Sequence, residues 1–284
     1  MLNAAALGMA YALVALGFVL ALNAAGAVNF AHGDLVVLGG AVAVVAGQVT
    51  GLSAPLLLPL VALALGAAGI VAARVAILPL LARPPEATFV ATIALAAIIE
   101  HGLTVTLGAA PRTAPALAGS GSFDIGGLAL GRQPLAIVVV GGLLVVAVWF
   151  LLERTQTGRR MRAVSSDRHM ARAVGIPVSH YVMLSLALAG ALAGIAGFLL
   201  GHQFLVAPTQ GAGHMLKAYI AVALGGWGSV PGALLGALGI GFFETFVSAA
   251  FGDAWASAAL YVGVLVVLAF RPQGLFGETV GRRA

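Results

Sequence analysis

The chain has 284 residues, 61% of them hydrophobic and only 8% charged, where a soluble domain carries about a quarter charged residues. That composition excludes an ordinary water-soluble domain and describes an integral membrane protein. Cysteine is absent, which excludes disulfides, thiolate catalysis and cysteine-ligated metals. The net charge of +5 comes from arginine clusters in short connections between apolar runs, where positive charge reports membrane orientation rather than a nucleic-acid partner.

In chain order, apolar runs of near-membrane length fall at roughly 4–22, 35–50, 56–74, 88–107, 134–152, 182–201, 230–250 and 255–270. A shorter ninth run lies near 215–226. The first run lacks a basic leader and is followed by further spans, so it is expected to stay in the mature protein rather than act as a cleaved signal. The expected fold is an all-α polytopic bundle of about 8–9 transmembrane helices, forming one domain over 1–284 with an interrupted span near the centre.

Between the first two runs lies "GAVNFAHGDLVVLGG" (26–40), which sets Asn29, His32 and Asp34 among glycines. Polar groups and helix breaks at membrane depth are tolerated where they face protein or a watery cavity. Two compatible roles follow: Asn29 or Asp34 capping a helix start, and direct lining of a pathway. The fourth run carries Glu100 and His101 in "TFVATIALAAIIEHGLTVTLG", and the seventh carries Glu244 in "GIGFFETFVSAA". Each is expected to face a polar partner in the bundle. Glu100 and His101 also form a candidate proton relay. Lys217, the only lysine, is expected to snorkel to an interface. "HGDLVVLGG" and "GHMLKAYIAVALGG" echo one another, and paired glycine-interrupted short spans in two halves of a chain point to a transport site. Gly190, Gly194, Gly197 and Gly201, and Gly232 with Gly236, recur at spacings that let helices approach closely in lipid.

The segment 153–180, "ERTQTGRRMRAVSSDRHMARAVGIPVSH", holds six of the 14 basic residues and is expected in the cytoplasm. So is the tail with Arg271, Arg282 and Arg283. The N-terminus is then outside, and 108–133 is an external loop with no sign of a folded domain. Within the basic segment, Ser165 and Ser166 are candidate caps for a short helix starting at Asp167 and ended by Gly175 and Pro177. It would present Met170, Ala173 and Val174 on one side and Arg168 and Arg172 on the other. A helix this short needs a partner: a protein groove, its own bundle or lipid headgroups. No Gly-rich phosphate loop ends in Gly-Lys-Ser/Thr, and there is no H-E-x-x-H or G-x-S-x-G. Neither an enzyme nor a metal site is expected.

Four blocks in order, "GAVNFAHGDLVVLGG", "TGRRMRAVSSDRHMARAVGI", "KAYIAVALGGWGSVPGALLGALGIGFFET" and "RPQGLFG", resemble the first of the two membrane subunits of the high-affinity branched-chain amino acid ABC importers. The resemblance implies a bacterial inner-membrane permease that holds no cofactor of its own. Its partners would be a second related permease, two cytoplasmic ATPase subunits that bind the ATP, an external substrate-binding protein and the lipid bilayer, with no nucleic acid. It places ATPase coupling on Asp167, Arg168, Met170, Ala171, Arg172, Val174 and Gly175. Asn29, His32, Asp34, Glu100, His101 and Glu244 are candidate pathway residues. The competing reading is an ion-coupled secondary transporter or channel in which those acids and His101 carry protons.

Overall fold

The apolar runs close into helices because in lipid every backbone N–H and C=O must find its partner within the chain. The computed structural model describes residues 1–119, 121–125, 128–271 and 274; of the ending "RPQGLFG", only Arg271 and Gly274 fall among them. In order come α1 (Leu2–Ala25), α2 (His32–Thr50), α3 (Ala54–Ala72), α4 (Pro85–Leu107), a two-stranded antiparallel hairpin of β1 (Ser122–Ile125) and β2 (Leu128–Gly131), α5 (Arg132–Arg154), α6 (Gln156–Ser166), α7 (Arg168–Ala173), α8 (Val178–Gln203), α9 (Gly211–Gly225), α10 (Val230–Phe251) and α11 (Asp253–Phe270). Eight of these helices are long and apolar enough to cross a membrane. The chain is therefore an all-α polytopic membrane protein, and the hairpin is a small addition in the loop where no structure was expected. A wide helical turn at Ala73–Ile77 and a tight one at Leu78–Leu80 prolong α3 past its expected end near Arg74.

Helix α1 is the axis of the bundle, with its span nine-tenths buried against α5, α8, α9 and α10. Its C-terminal carbonyl at Ala24 accepts a hydrogen bond from Arg168 Nη2 at 2.9 Å, which marks that end as the arginine-rich one. Gly228, just before α10, lies at the same end, its carbonyl accepting from Asn23 Nδ2 at 3.1 Å. The far end of α8 meets the loop before β1, where Ala114 N–H donates to Gly201 O at 3.1 Å and Arg112 bridges Val206.

Two segments depart from simple crossing. His32, the first residue of α2, bonds through Nε2 to Val14 O at 3.0 Å, and Val14 lies midway along α1, about 17 Å from either end at ~1.5 Å per residue. Residues 26–31 therefore carry the chain back from the arginine-rich end to half height before α2 begins. At the other end the chain leaves α8, turns through Leu205 with φ +63° and descends to Gly211, where α9 begins beside Asp34. A non-glycine residue in that left-handed region is strained. With 15 residues, α9 is about 22 Å long and cannot alone span a hydrocarbon layer of ~30 Å. It reaches the arginine-rich end, where Gly225 packs on Gly232 at the start of α10.

The seam between α2, α3 and α8 is built on glycine. A Cβ on Gly197 would overlap the Val36 carbonyl oxygen, and one on Gly190 would overlap that of Leu65. The spacing read from sequence thus serves backbone-to-backbone contact, which replaces hydrophobic drive where the solvent is itself apolar. Gly239 on α10 has no atom within 4 Å of its would-be Cβ. Gly197→Ala should destabilise the detergent-solubilised protein by about 1–3 kcal/mol, whereas Gly239→Ala should leave the denaturation midpoint unchanged.

Candidate functional site: a cleft where two helices begin

The starts of α2 and α9 meet at one carboxylate. Asp34 sits in the first turn of α2 and is buried, and its Oδ1 lies against Gly211, where any Cβ would overlap it. Helix N-termini present unpaired N–H groups and a partial positive charge, so this is where an anion costs least in an apolar bundle. Asn29 prepares the turn into α2: its Oδ1 accepts from Ala31 N–H at 3.2 Å. Asn29 shapes the turn before α2 in this way but does not cap the helix: the cap position is Ala31, and no side chain makes a capping bond there. A carbonyl can only accept, so Val14 O fixes Nε2 of fully buried His32 as the donor. Asn29 Nδ2 and His32 Nδ1 are the buried side-chain atoms without a hydrogen bond among the described residues.

Asp34 opens onto a cleft of about 580 Å³. Phe30 and Asp34 form one wall, Ile93, Ala96, Ala97 and Glu100 of α4 a second, and Ala212, Met215, Leu216 and Tyr219 of α9 a third. The structure thus brings Asp34 and Glu100, 66 positions apart in sequence, into one cavity. His101 is not part of it: this side chain is exposed and its Nδ1 bonds back to Ala97 O at 2.8 Å. His32 lies behind the cleft wall. An aromatic chain runs from His32 through Phe18 and Tyr219 to Trp227, with ring centroids 6.2, 6.4 and 5.4 Å apart. Phe30, Met215, Leu216 and Tyr219 were not singled out in the sequence, since apolar residues in an apolar run carry no signal of what they face.

Glu244 lies elsewhere. Its Oε1 pairs with Lys217 Nζ at 2.6 Å and its Oε2 accepts from Tyr11 OH at 3.0 Å, while Lys217 also donates to Tyr11 OH at 2.7 Å. Lys217 therefore does not snorkel to an interface as expected. With its side chain only 18% exposed and that of Glu244 13%, the two charges compensate each other inside the bundle and tie α9 to α10 and α1. The hydroxyl of Tyr11, a polar tip in an otherwise apolar run, was the available signal for this third partner.

The arginine-rich segment folds as two helices. Thr155 caps α6, accepting from Gly158 N–H at 3.0 Å, and α6 runs on through Ser165 and Ser166, so those serines are not the caps expected. Asp167 is the cap: its Oδ1 accepts from His169 and Met170 N–H at 2.8 and 3.0 Å. These bonds to the charged form hold its carboxyl below the ordinary 3.8. The cap's contribution is thus complete above that value and fades as pH falls through the lower folded value. Gly175, at φ +79°, ends α7; its N–H donates to Arg172 O and that of Ile176 to Ala171 O, the two bonds of a glycine-ended helix terminus. Arg168 reaches back to α1 and Ala171 is buried, while Met170 is 66% and Val174 74% exposed.

A polytopic bundle with two helices starting at half height around a largely apolar cleft that holds two carboxylates is an arrangement suited to membrane transport. The chain belongs to the family described as branched-chain amino acid transport system / permease component, whose sequence profile matches residues 1–269. It is 30% identical to the high-affinity branched-chain amino acid transport system permease protein BraD of Pseudomonas aeruginosa, over 98% of this chain and 95% of that one. It is 28% identical to the LivH permease of Escherichia coli, over 98% and 94%. A ribose import permease of Escherichia coli is 30% identical over 82% of this chain and 73% of its own.

Removing one partner of a buried ion pair strands the other charge. Lys217→Met should lower stability by about 3 kcal/mol in a detergent denaturation series, and adding Glu244→Gln should restore part of that loss.

Proposed function

We propose that this chain is one of two related permease subunits of an ABC importer in a bacterial inner membrane, passing branched-chain or related amino acids inward. An external binding protein would deliver the cargo, and two cytoplasmic ATPase subunits would bind the ATP and drive the cycle. Family membership carries the reading; the surface of α7 supports its mechanism. This helix is capped at both ends, anchored to the bundle by Arg168 and Ala171, and shows the exposed apolar pair Met170 and Val174. Six residues cannot hold a helix in water unaided, so an outward apolar face on so rigidly placed a turn suits a groove on a partner protein.

By the positive-inside rule the arginine-rich α6–α7 end would lie in the cytoplasm. With that orientation the N-terminus of α1 and the hairpin face outward, toward the binding protein. Closure of the ATPases would push on α7, and the bundle would expose the Asp34 cleft first outward and then inward. Cargo handed over by a binding protein needs no tight site in the permease, in keeping with a cleft that is open and largely apolar.

The test is purification from the native membrane in mild detergent. The wild-type chain should carry ATPase subunits and a second permease with it. Met170→Glu combined with Val174→Glu should lose the ATPases while still inserting and keeping the second permease. Recovery of the wild-type chain with no nucleotide-binding protein would overturn the reading.

A further inference from the structure

The cleft carries a chemistry that family membership leaves open. Among the described residues its charged groups are two carboxylates, Asp34 and Glu100. Asp34 is 5% exposed, yet its carboxylate makes no hydrogen bond or ion pair with another described residue and faces the cavity. Glu100, also without a side-chain hydrogen bond or ion pair there, lines the same cavity from α4. The rest of the lining is aliphatic or aromatic. A buried carboxylate such as Asp34 in an apolar site needs a countercharge or a donor, and here the bundle supplies only the partial charges of two helix starts. By contrast, Lys217 and Glu244 are partnered by each other and by Tyr11.

We infer that Asp34 and Glu100 form a transfer site for the ammonium group of the cargo, with the cargo's aliphatic part against Ile93, Met215 and Leu216. A dehydrated inorganic cation fits poorly: calcium takes about six to eight oxygens and magnesium about six, and no group of three or more His, Cys, Asp or Glu side chains stands together among the described residues. An organic ammonium needs only two or three acceptors and brings its own apolar body. The site would take primary amines with a short branched or linear side chain, reading the ammonium and not the carboxylate. It would reject the corresponding organic acids by repulsion, and neutral sugars because they leave the carboxylates uncompensated. The inference rests on reading this cleft as the chain's share of the pathway.

The absence of cysteine allows a direct test on the full chain without its partners, so that its failure is separate from failure of the ATPase co-purification. Ala97→Cys places a thiol on the cleft wall, and Val174→Cys places one on the exposed face of α7, outside the membrane-spanning helices. Both are modified with a methanethiosulfonate reagent in the presence of leucine, leucinamide, isovalerate, ribose or sodium chloride. Leucine and leucinamide should slow labelling at position 97 severalfold, with isovalerate, ribose and sodium without effect and position 174 unaffected. Adding Glu100→Gln or Asp34→Asn to Ala97→Cys should raise the leucinamide concentration for half-protection about tenfold, the equivalent of one charge-assisted bond of ~1.4 kcal/mol. Protection by isovalerate or sodium equal to that by leucinamide would overturn the proposal. So would no protection by either amine, or protection unchanged in both carboxylate variants.

Discussion

The architecture depends on a carboxylate at half height where two helices begin. Bringing backbone into an apolar layer without its helical partners costs several kcal/mol per group, and the starts of α2 and α9 leave N–H groups in that position. Asp34, set on the first turn of one helix and against the first residue of the other, puts one negative charge beside both positive helix ends without capping either by a side-chain hydrogen bond. Gly211 is required for the contact, since a Cβ there would take the space of the carboxylate oxygen. The cleft exists because two helices stop short of full length. Its charge comes from Asp34 and Glu100 in an otherwise largely apolar lining.

Around that point the bundle is held by two kinds of contact suited to lipid. Glycine seams let α8 lie against α2 and α3 with backbones in contact, which compensates for the missing hydrophobic drive. The Lys217–Glu244–Tyr11 cluster fixes α9, the shortest of the membrane helices, to its neighbours. The cluster constrains the wall of the cleft that α9 supplies. The same helix that carries Met215 and Tyr219 into the cavity is therefore held from behind by the ion pair.

Much of the fold was legible because its signals are periodic or compositional: long apolar runs, the arginine cluster, and glycines four apart on α8. The break at 26–34 was legible too, since Asn29, His32 and Asp34 have no business in a greasy run unless the helix is interrupted there. What stayed hidden depends on pairing between distant segments. Nothing local distinguishes Lys217 at an interface from Lys217 opposite Glu244, because the partner lies 27 residues away. Glu100 and His101 read as a unit in sequence, yet neighbouring positions on a helix point about 100° apart, and one lines the cleft while the other does not. The cap of α7 was misplaced by one residue for a similar reason. Ser165 and Ser166 have the right chemistry, but α6 continues through them and the break falls at Asp167.

The central claim is that α2 and α9 start at half height around a water-reachable cleft, and a cysteine accessibility profile in the cysteine-free chain tests it most directly. Single cysteines are placed at Phe30, Ala212 and Leu216 on the cleft and at Val139 and Val146 on the exposed face of α5, then exposed to a water-soluble maleimide in native membranes. The account predicts rapid labelling of the three cleft positions and none at the two on α5. Cleft positions as unreactive as those on α5 would mean two continuous lipid-embedded spans, and would contradict it.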